Sequence, residues 1–318
     1  MPRPPLPTYA IVSPVRDEAE HLARTAEALL AQSHPPAAWV IVDDGSTDGT
    51  NELAQRYAGA VPWIHVIRAA SKHDRARGAP IVRAFNLGRG AIDVATDVIV
   101  KLDGDLYLPP HYFAWVLSVF ADDPRAGVVG GVALVADENG RWVPDEVGID
   151  TVNGVAKAYR CEALDEIGGL PASMGWDGID EFALRARGWS VRVLTELPIL
   201  HYRRRGSRQR WWKARWEEGR GCHFMGYRWS FVVLRAGYRM LVERPPLLGG
   251  LVLGAGFAWS AIRRRPQMLD ADARALLRSE QRERLGSLLT RRRRPPEPLP
   301  GGGPAYTCTE PDARIRDT

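Results

Sequence analysis

Two aspartates separated by one glycine, Asp103-Gly104-Asp105, close the apolar run Asp97-Val98-Ile99-Val100-Lys101-Leu102. Carboxylates two positions apart at the lip of a buried strand offer oxygen ligands suited to Mg²⁺ or Mn²⁺. Such cations usually take one or two carboxylates and fill their other positions with substrate phosphates and water. The same three residues also make an ordinary solvated turn, and taken alone they support both readings. A second acidic segment, Asp43-Asp44-Gly45-Ser46-Thr47-Asp48, follows the apolar Val42. Asp44, Ser46 and Asp48 would occupy the first three ligand positions of a calcium loop, but the twelfth would be Gln55, where a bidentate Glu is required. Calcium is therefore excluded there. What remains is an acidic strand end beside a capped helix, able to accept hydrogen bonds from a base or a ribose.

The elements that must position these residues follow from periodicity. Tyr9 to Val12, Trp39 to Val42, Trp63 to Ile67 and Val98 to Leu102 are short apolar runs. Between and after them, Glu18 to Gln32, the stretch from Ser46 or Asp48 to Tyr57, Pro80 to Ile92 and Pro109 to Phe120 carry helical spacing. Strands alternating with such helices predict an α/β fold: a mixed, mainly parallel sheet with helices on both faces. Ligands of such sheets collect outside the carboxyl ends of the strands, where Arg16, Glu18, Asp43, Asp44, Asp103 and Asp105 stand. Beyond Phe120 the pattern becomes mixed, with apolar segments at Gly127 to Val135 and Thr151 to Tyr159 and short helices at Glu162 to Ile167 and Asp180 to Arg187. Val191 to Leu194 and Pro198 to Leu200 then lead to His201. From Trp211 a helical extension is predicted, broken at Pro245-Pro246 and ending in a charged amphipathic helix over Asp270 to Leu289.

Composition bounds the function classes. With 318 residues, 45% hydrophobic and 25% charged, the chain is of ordinary globular character. No apolar run reaches the roughly 18 residues of a spanning helix. The three cysteines, Cys161, Cys222 and Cys308, form no close pair, which points to a reducing compartment. The N-terminus carries no apolar signal segment, so a cytoplasmic location is expected. The net charge of +5 divides unevenly: residues 1–200 are acidic and residues 201–318 strongly basic. Three segments are expected: 1–205 as the catalytic and binding domain, 206–290 as a helical extension, and 291–318 as a basic, Pro- and Gly-rich tail that cannot bury enough apolar surface to order itself. The apolar stretch Leu247 to Ile262, flanked by Arg244 and Arg263 to Arg265, is too short to span a bilayer. It suits either a buried helix or one lying in the membrane interface, and the second alternative would bring a lipid-linked acceptor within reach.

Four segments in order, Ser13-Pro14-Val15-Arg16-Asp17-Glu18, Val42-Asp43-Asp44-Gly45-Ser46, Asp103-Gly104-Asp105 and Trp176-Asp177-Gly178-Ile179-Asp180-Glu181, resemble those of glycosyltransferase family 2, whose members share the nucleotide-sugar-binding fold of the A type. The resemblance covers roughly residues 8 to 205. It implies an inverting, metal-dependent transfer of a sugar from a nucleoside-diphosphate sugar to the hydroxyl of a saccharide or lipid-linked acceptor, with Mg²⁺ or Mn²⁺ as cofactor. By the same resemblance Pro14, Arg16, Glu18 and Asp43 line the nucleotide pocket, Arg77 faces the donor, Asp103 serves ribose and metal, and Asp105 ligates the metal. The resemblance also implies that His201 completes the metal site, although a lone histidine after an apolar run is as well suited to a structural role. The family's base segment often reads Glu-Asp, whereas this chain has Ile179-Asp180-Glu181; Asp180 is the first candidate for the base, followed by Glu181 and Asp177. The arginines after His201 are suited to a diphosphate. Processive relatives carry Gln-x-x-Arg-Trp here, and Ser207 stands in the place of that Gln, so processive synthesis is not expected.

The reaction asks for these parts on physical grounds. Attack from behind the anomeric carbon leaves a diphosphate whose growing charge needs a cation, and the attacking hydroxyl must lose its proton to one carboxylate on the opposite face. The nearest enzymatic rival is a nucleotidyltransferase on a similar sheet, which would release pyrophosphate instead of nucleoside diphosphate. A rival of another class is a module that holds nucleic acid or anionic lipid on its basic half. No nucleic-acid-binding signature accompanies the basic residues, and nucleic acid is not expected as a partner.

Overall fold

The computed structural model describes residues 4–69, 79–137, 140–145, 151–202, 211–242 and 246–290. Arg77, the arginine cluster after Tyr202 and the expected tail at 291–318 lie outside the described residues.

The first half follows the alternation expected from periodicity: β1 (Tyr9–Val15), α1 (Ala19–Leu30), β2 (Ala38–Asp43), α2 (Thr50–Ala60), β3 (Ile64–Arg68), α3 (Ala79–Gly90) and β4 (Val98–Leu102). These four strands are parallel and lie in the order β3-β2-β1-β4. Strands β1, β2 and β4 are buried on both faces, hence their near-continuous apolar sequence. One face packs Leu22 and Leu29 of α1 and Ala54 of α2, together with the aromatic side of α4 (Tyr112–Asp122), which follows the two-residue strand β5 (Leu106–Tyr107). The opposite face packs Val82 and Phe85 of α3 and the later helices. Full burial of a Leu or Phe in either layer contributes about 1.5–3 kcal/mol.

The sheet then turns mixed. β6 (Ala126–Ala136), β7 (Trp142–Pro144), β8 (Ala156–Arg160) and β9 (Ser190–His201) are joined through α5 (Cys161–Glu166) and α6 (Trp176–Ala186). β8 runs antiparallel between β4 and β6, and β9 runs parallel to β6. This directionality returns the start of β8 and the end of β9 to the same edge of the sheet as the ends of β1, β2 and β4. β5 pairs with the last residues of β9, Leu106 opposite His201. Two sequence expectations change here. The two short strands before His201 are one strand of 12 residues, and the helix expected to start at Asp180 starts at Trp176. Gly175, at φ 74°, caps that helix in a left-handed conformation open to glycine.

The C-terminal extension is α7 (Trp211–Phe224), α8 (Trp229–Val242), α9 (Leu248–Ile262) and α10 (Ala271–Thr290). Glycine lets α9 approach closely: a Cβ on Gly256 would fall 2.2 Å from the Trp216 carbonyl oxygen, and one on Gly250 would fall 2.1 Å from that of Ala236. The apolar stretch at 247–262 thus divides into a glycine face packed on α7 and α8 and an outer face on which Leu248, Leu251, Trp259 and Ile262 are exposed. Among the described residues, no helix is long and apolar enough to cross a membrane.

Candidate active site

The loops after β1 and β2 are sewn together by the polar residues of the second acidic segment. Asp17, at φ 52°, donates its N–H to Ser46 Oγ (3.0 Å) and accepts from the Thr47 N–H (2.9 Å); the Glu18 N–H reaches Thr50 Oγ1 (2.8 Å), and the Ala19 N–H reaches Asp48 Oδ2 (3.0 Å). Asp48 and Thr50 therefore act as structural acceptors. Asp43 is fully buried, accepts the Ser46 N–H through Oδ1 and faces Arg68 Nε at 3.4 Å through Oδ2. Asp44 stands 3.9 Å from Arg16; burial raises its carboxyl pKa, while Arg16 and Arg83 oppose the rise. Pro14, Arg16, Glu18 and Asp43 thus share one strand-end region. Gly104 adjoins it, because a Cβ there would lie 2.9 Å from Val15 Cγ1 and 3.6 Å from Glu18 Cγ. That space explains the glycine between the two aspartates.

Asp103 and Asp105 point to different partners. The Asp103 carboxylate forms an ion pair with Lys101, and its N–H donates to the Val155 carbonyl (2.8 Å). Asp105 is buried, and its Oδ2 is 3.3 Å from His201 Nε2 across the β5–β9 pairing. Ligand atoms at adjacent corners of an octahedron around a cation with ~2.0–2.1 Å bonds lie about 3 Å apart, so the pair has the spacing of one edge of such a shell. Among the described residues no three His, Cys, Asp or Glu side chains gather on one point. Asp105 and His201 would hold a divalent ion only together with phosphate oxygens and water, as Mg²⁺ and Mn²⁺ sites commonly do.

The carboxylates of α6 are sorted by depth. Asp180 is fully buried; Lys157 Nζ donates to its Oδ2 (2.8 Å) and Oδ1 (3.1 Å), and the Tyr159 hydroxyl donates to Oδ2 (2.5 Å). Glu181 is buried beside it, with Oε1 accepting the Val152 N–H (2.9 Å) and lying 2.9 Å from Lys157 Nζ. Asp177 occupies the first helical turn, half-buried, where the helix dipole favours an anion. Its carboxylate would sit 3.1 Å from a Cβ on Gly154. Lys101 Nζ donates to the Gly154 carbonyl (2.6 Å) and lies 5.5 Å from the Trp176 ring centroid; Lys157 Nζ is 5.8 Å from the same ring. Trp176 and the two lysines therefore link the Asp103 lip to α6. Sequence reasoning named Trp176 only as part of the base segment and gave Lys101, Lys157 and Tyr159 no role in holding these carboxylates. The available signal was a lysine inside each of two otherwise apolar strand runs, where a charge survives only when paired.

Burial works against the Lys157 ammonium, and Asp180, Glu181 and Asp177 outweigh it, holding its pKa above the usual lysine range. Burial pushes the Glu181 carboxyl up to about 7; Lys157 opposes the rise and Asp180 adds to it. A carboxyl with a raised folded pKa binds its proton more tightly in the native state. Its contribution to stability is therefore lost as pH climbs from the ordinary glutamate value of 4.5 to about 7. The Glu181→Gln variant is expected to gain in melting temperature relative to the wild type between about pH 5 and about pH 7.5. A difference between the two proteins that stays constant over this window would refute the raised value.

The family model for glycosyl transferase family 2 matches residues 10–162, from β1 to the start of α5. Residues 10–162, just under half of the chain, thus form a glycosyl transferase family 2 segment. This match covers the strand ends with Arg16, Asp43, Asp103 and Asp105, while α6 and His201 lie beyond it. Over 117 residues the chain is 31% identical to an uncharacterized glycosyltransferase of Nostoc sp. (strain PCC 7120), a stretch covering 37% of this chain and 34% of that protein. Over 116 residues it is 34% identical to an undecaprenyl-phosphate 4-deoxy-4-formamido-L-arabinose transferase of Yersinia enterocolitica, covering 35% and 32%. The match thus spans about a third of either relative's length. The fold extends further: a mannosyltransferase from Pyrobaculum calidifontis, solved in complex with GDP-Man and Mn²⁺, superposes with a TM-score of 0.54 at 17% identity, covering 91% of this chain and 81% of that one. At that identity the likeness speaks for the architecture alone.

Proposed function

We propose that this chain transfers a sugar from a nucleoside-diphosphate sugar to a saccharide or lipid-linked acceptor hydroxyl, with inversion at the anomeric carbon and with Mg²⁺ or Mn²⁺. One observation carries the reading. The buried Asp105–His201 pair stands at the sheet edge where Lys101, paired with Asp103, donates to the Gly154 carbonyl and lies over Trp176 at the start of the helix that carries Asp177, Asp180 and Glu181. The Mn²⁺ and GDP-Man of the Pyrobaculum complex agree with it.

In this reading Pro14, Arg16, Glu18 and Asp43 hold the nucleotide, and Arg77 and Asp103 face the donor. Asp105 and His201 would hold the cation, whose contribution when bound would be positive charge beside the departing diphosphate. A base must present a free lone pair to the acceptor. Asp180 has its oxygens taken by Lys157 and Tyr159, and Glu181 is held by Lys157 and Val152. Asp177 is the more accessible carboxylate, and we assign it the base, with Glu181 next.

The test is a thermal-shift screen of nucleoside diphosphates and their sugars with and without Mn²⁺, since a ligand bound only to the native state raises Tm. Asp105→Ala is expected to lose the Mn²⁺-dependent part of the shift. Retention of that part would remove Asp105 from the metal site. Release of nucleoside diphosphate is expected on turnover, and release of pyrophosphate would overturn the transferase reading in favour of nucleotidyl transfer.

Peripheral contact with an anionic bilayer, on the cytoplasmic face, completes the proposal. Trp229, Val233, Tyr238 and Leu241 of α8 and Leu251, Trp259 and Ile262 of α9 are exposed, and Arg263, Arg264 and Arg265 follow directly. Apolar anchors beside arginines suit the interface of anionic lipid. Co-sedimentation is expected with vesicles rich in phosphatidylglycerol and not with pure phosphatidylcholine, and Leu241→Glu should weaken it. Equal binding to both lipids, or none to either, would sink this part.

A further inference from the structure

A cavity of about 360 Å³ opens between α6, the turn joining α7 to α8, and α10, a size ordinary for small-ligand sites. Its lining is divided in character. Phe182, Tyr227 and Phe231 supply aromatic surface, the last two in an edge-on contact with ring centroids 5.8 Å apart. Asp177 and Glu181 supply carboxylates from the α6 side. Gln281 is buried; its Oε1 accepts the Arg228 N–H (3.0 Å), while its Nε2 has no hydrogen-bond partner. Arg185, whose terminal nitrogen pairs with Glu280, likewise leaves a buried Nε without a partner. Two orphaned N–H donors bordering one cavity are costly unless something fills it with acceptor oxygens.

We propose that this cavity seats the sugar of the acceptor, a saccharide whose hydroxyl oxygens receive Gln281 and Arg185 and whose apolar ring face lies on Phe231 and Tyr227. The proposal rests on the transferase reading and names the part of that substrate the C-terminal helices recognise. A saccharide hydroxyl is both acceptor and donor, so one ligand class satisfies the two N–H groups and delivers a proton to Asp177. In the transfer the hydroxyl proton passes to the Asp177 carboxylate and the oxygen bonds the anomeric carbon. The bond from that carbon to the diphosphate oxygen breaks, with its electron pair leaving on the diphosphate. Asp177 is placed for this because it borders both the cavity and Gly154, whose carbonyl takes Lys101 from the Asp103 lip. The extension is thereby part of the site, and acceptor choice resides in α8 and α10, outside the segment matched by the family model.

The experiment uses the full chain and a panel of octyl hexosides as probes, their binding followed by saturation-transfer NMR and their use by release of nucleoside diphosphate. Gln281→Met removes the orphaned donor, and Phe231→Ala removes the aromatic surface from a half-buried position that tolerates truncation. Each is expected to weaken hexoside binding about tenfold, the effect of about 1.4 kcal/mol, and to leave the Mn²⁺-dependent nucleotide shift unchanged. Hexoside binding equal to wild type in both variants, or no hexoside binding to the wild type, overturns the proposal. If no nucleotide binds while hexosides bind in a Gln281-dependent way, the cavity assignment stands and the transferase reading falls.

Discussion

Replacing Lys157 by methionine is expected to cost about 3–5 kcal/mol, the range for removing one partner of a buried ion pair. For a domain of this size that lowers Tm by roughly 10 °C, readable by circular dichroism. The size of the effect follows from position. Lys157 is fully buried on β8, and its ammonium contacts Asp180 and Glu181 and donates to the Asp177 carbonyl (2.6 Å). Without it two carboxylates face each other in a space closed to water, and one must take up a proton or the helix must move. The triple variant Lys157→Met, Asp180→Asn, Glu181→Gln should recover a substantial part of the loss, since it removes the stranded charges together with their partner; non-additivity of this kind marks coupled neighbours. A single variant as stable as wild type would show that the network does not hold α6 in place.

Asp177→Asn is expected to lower kcat by about 10²- to 10⁴-fold, the usual contribution of a general base, and to leave the Mn²⁺-dependent nucleotide shift intact. The amide keeps the size of the side chain and its place in the first turn of α6 while losing the ability to take a proton. Asp180→Asn is expected to differ in kind, with Tm falling because Lys157 and Tyr159 lose the anion they share. Turnover within a few-fold of wild type in Asp177→Asn would pass the base to Glu181, whose raised pKa then has a catalytic use.

Much of the donor half was legible in the linear chain because its cues are local. Apolar runs ending on Asp43-Asp44 and Asp103-Gly104-Asp105 announce strand ends, and parallel strands buried on both faces leave a strong signal. Strand β5 was not legible, having only two residues, and its pairing with the end of β9 is what sets Asp105 beside His201 across almost a hundred positions. The start of α6 was misplaced by four residues, at Asp180 where the helix begins at Trp176 behind Gly175. That offset moves Asp177 to the first turn and carries Asp180 one turn inward to Lys157.

The sequence by itself determined the layered α/β architecture, the family 2 segment over residues 10–162 and the acidic strand ends, for hydrophobic period and turn chemistry act between neighbours. Only the tertiary structure decided which carboxylates are sealed and which stay accessible, because burial depends on what packs from elsewhere: β8 brings Lys157 and Tyr159 under α6, and α10 brings Gln281 over it. The electrostatic character of an aspartate is a property of that surrounding volume, and no window along the chain contains it.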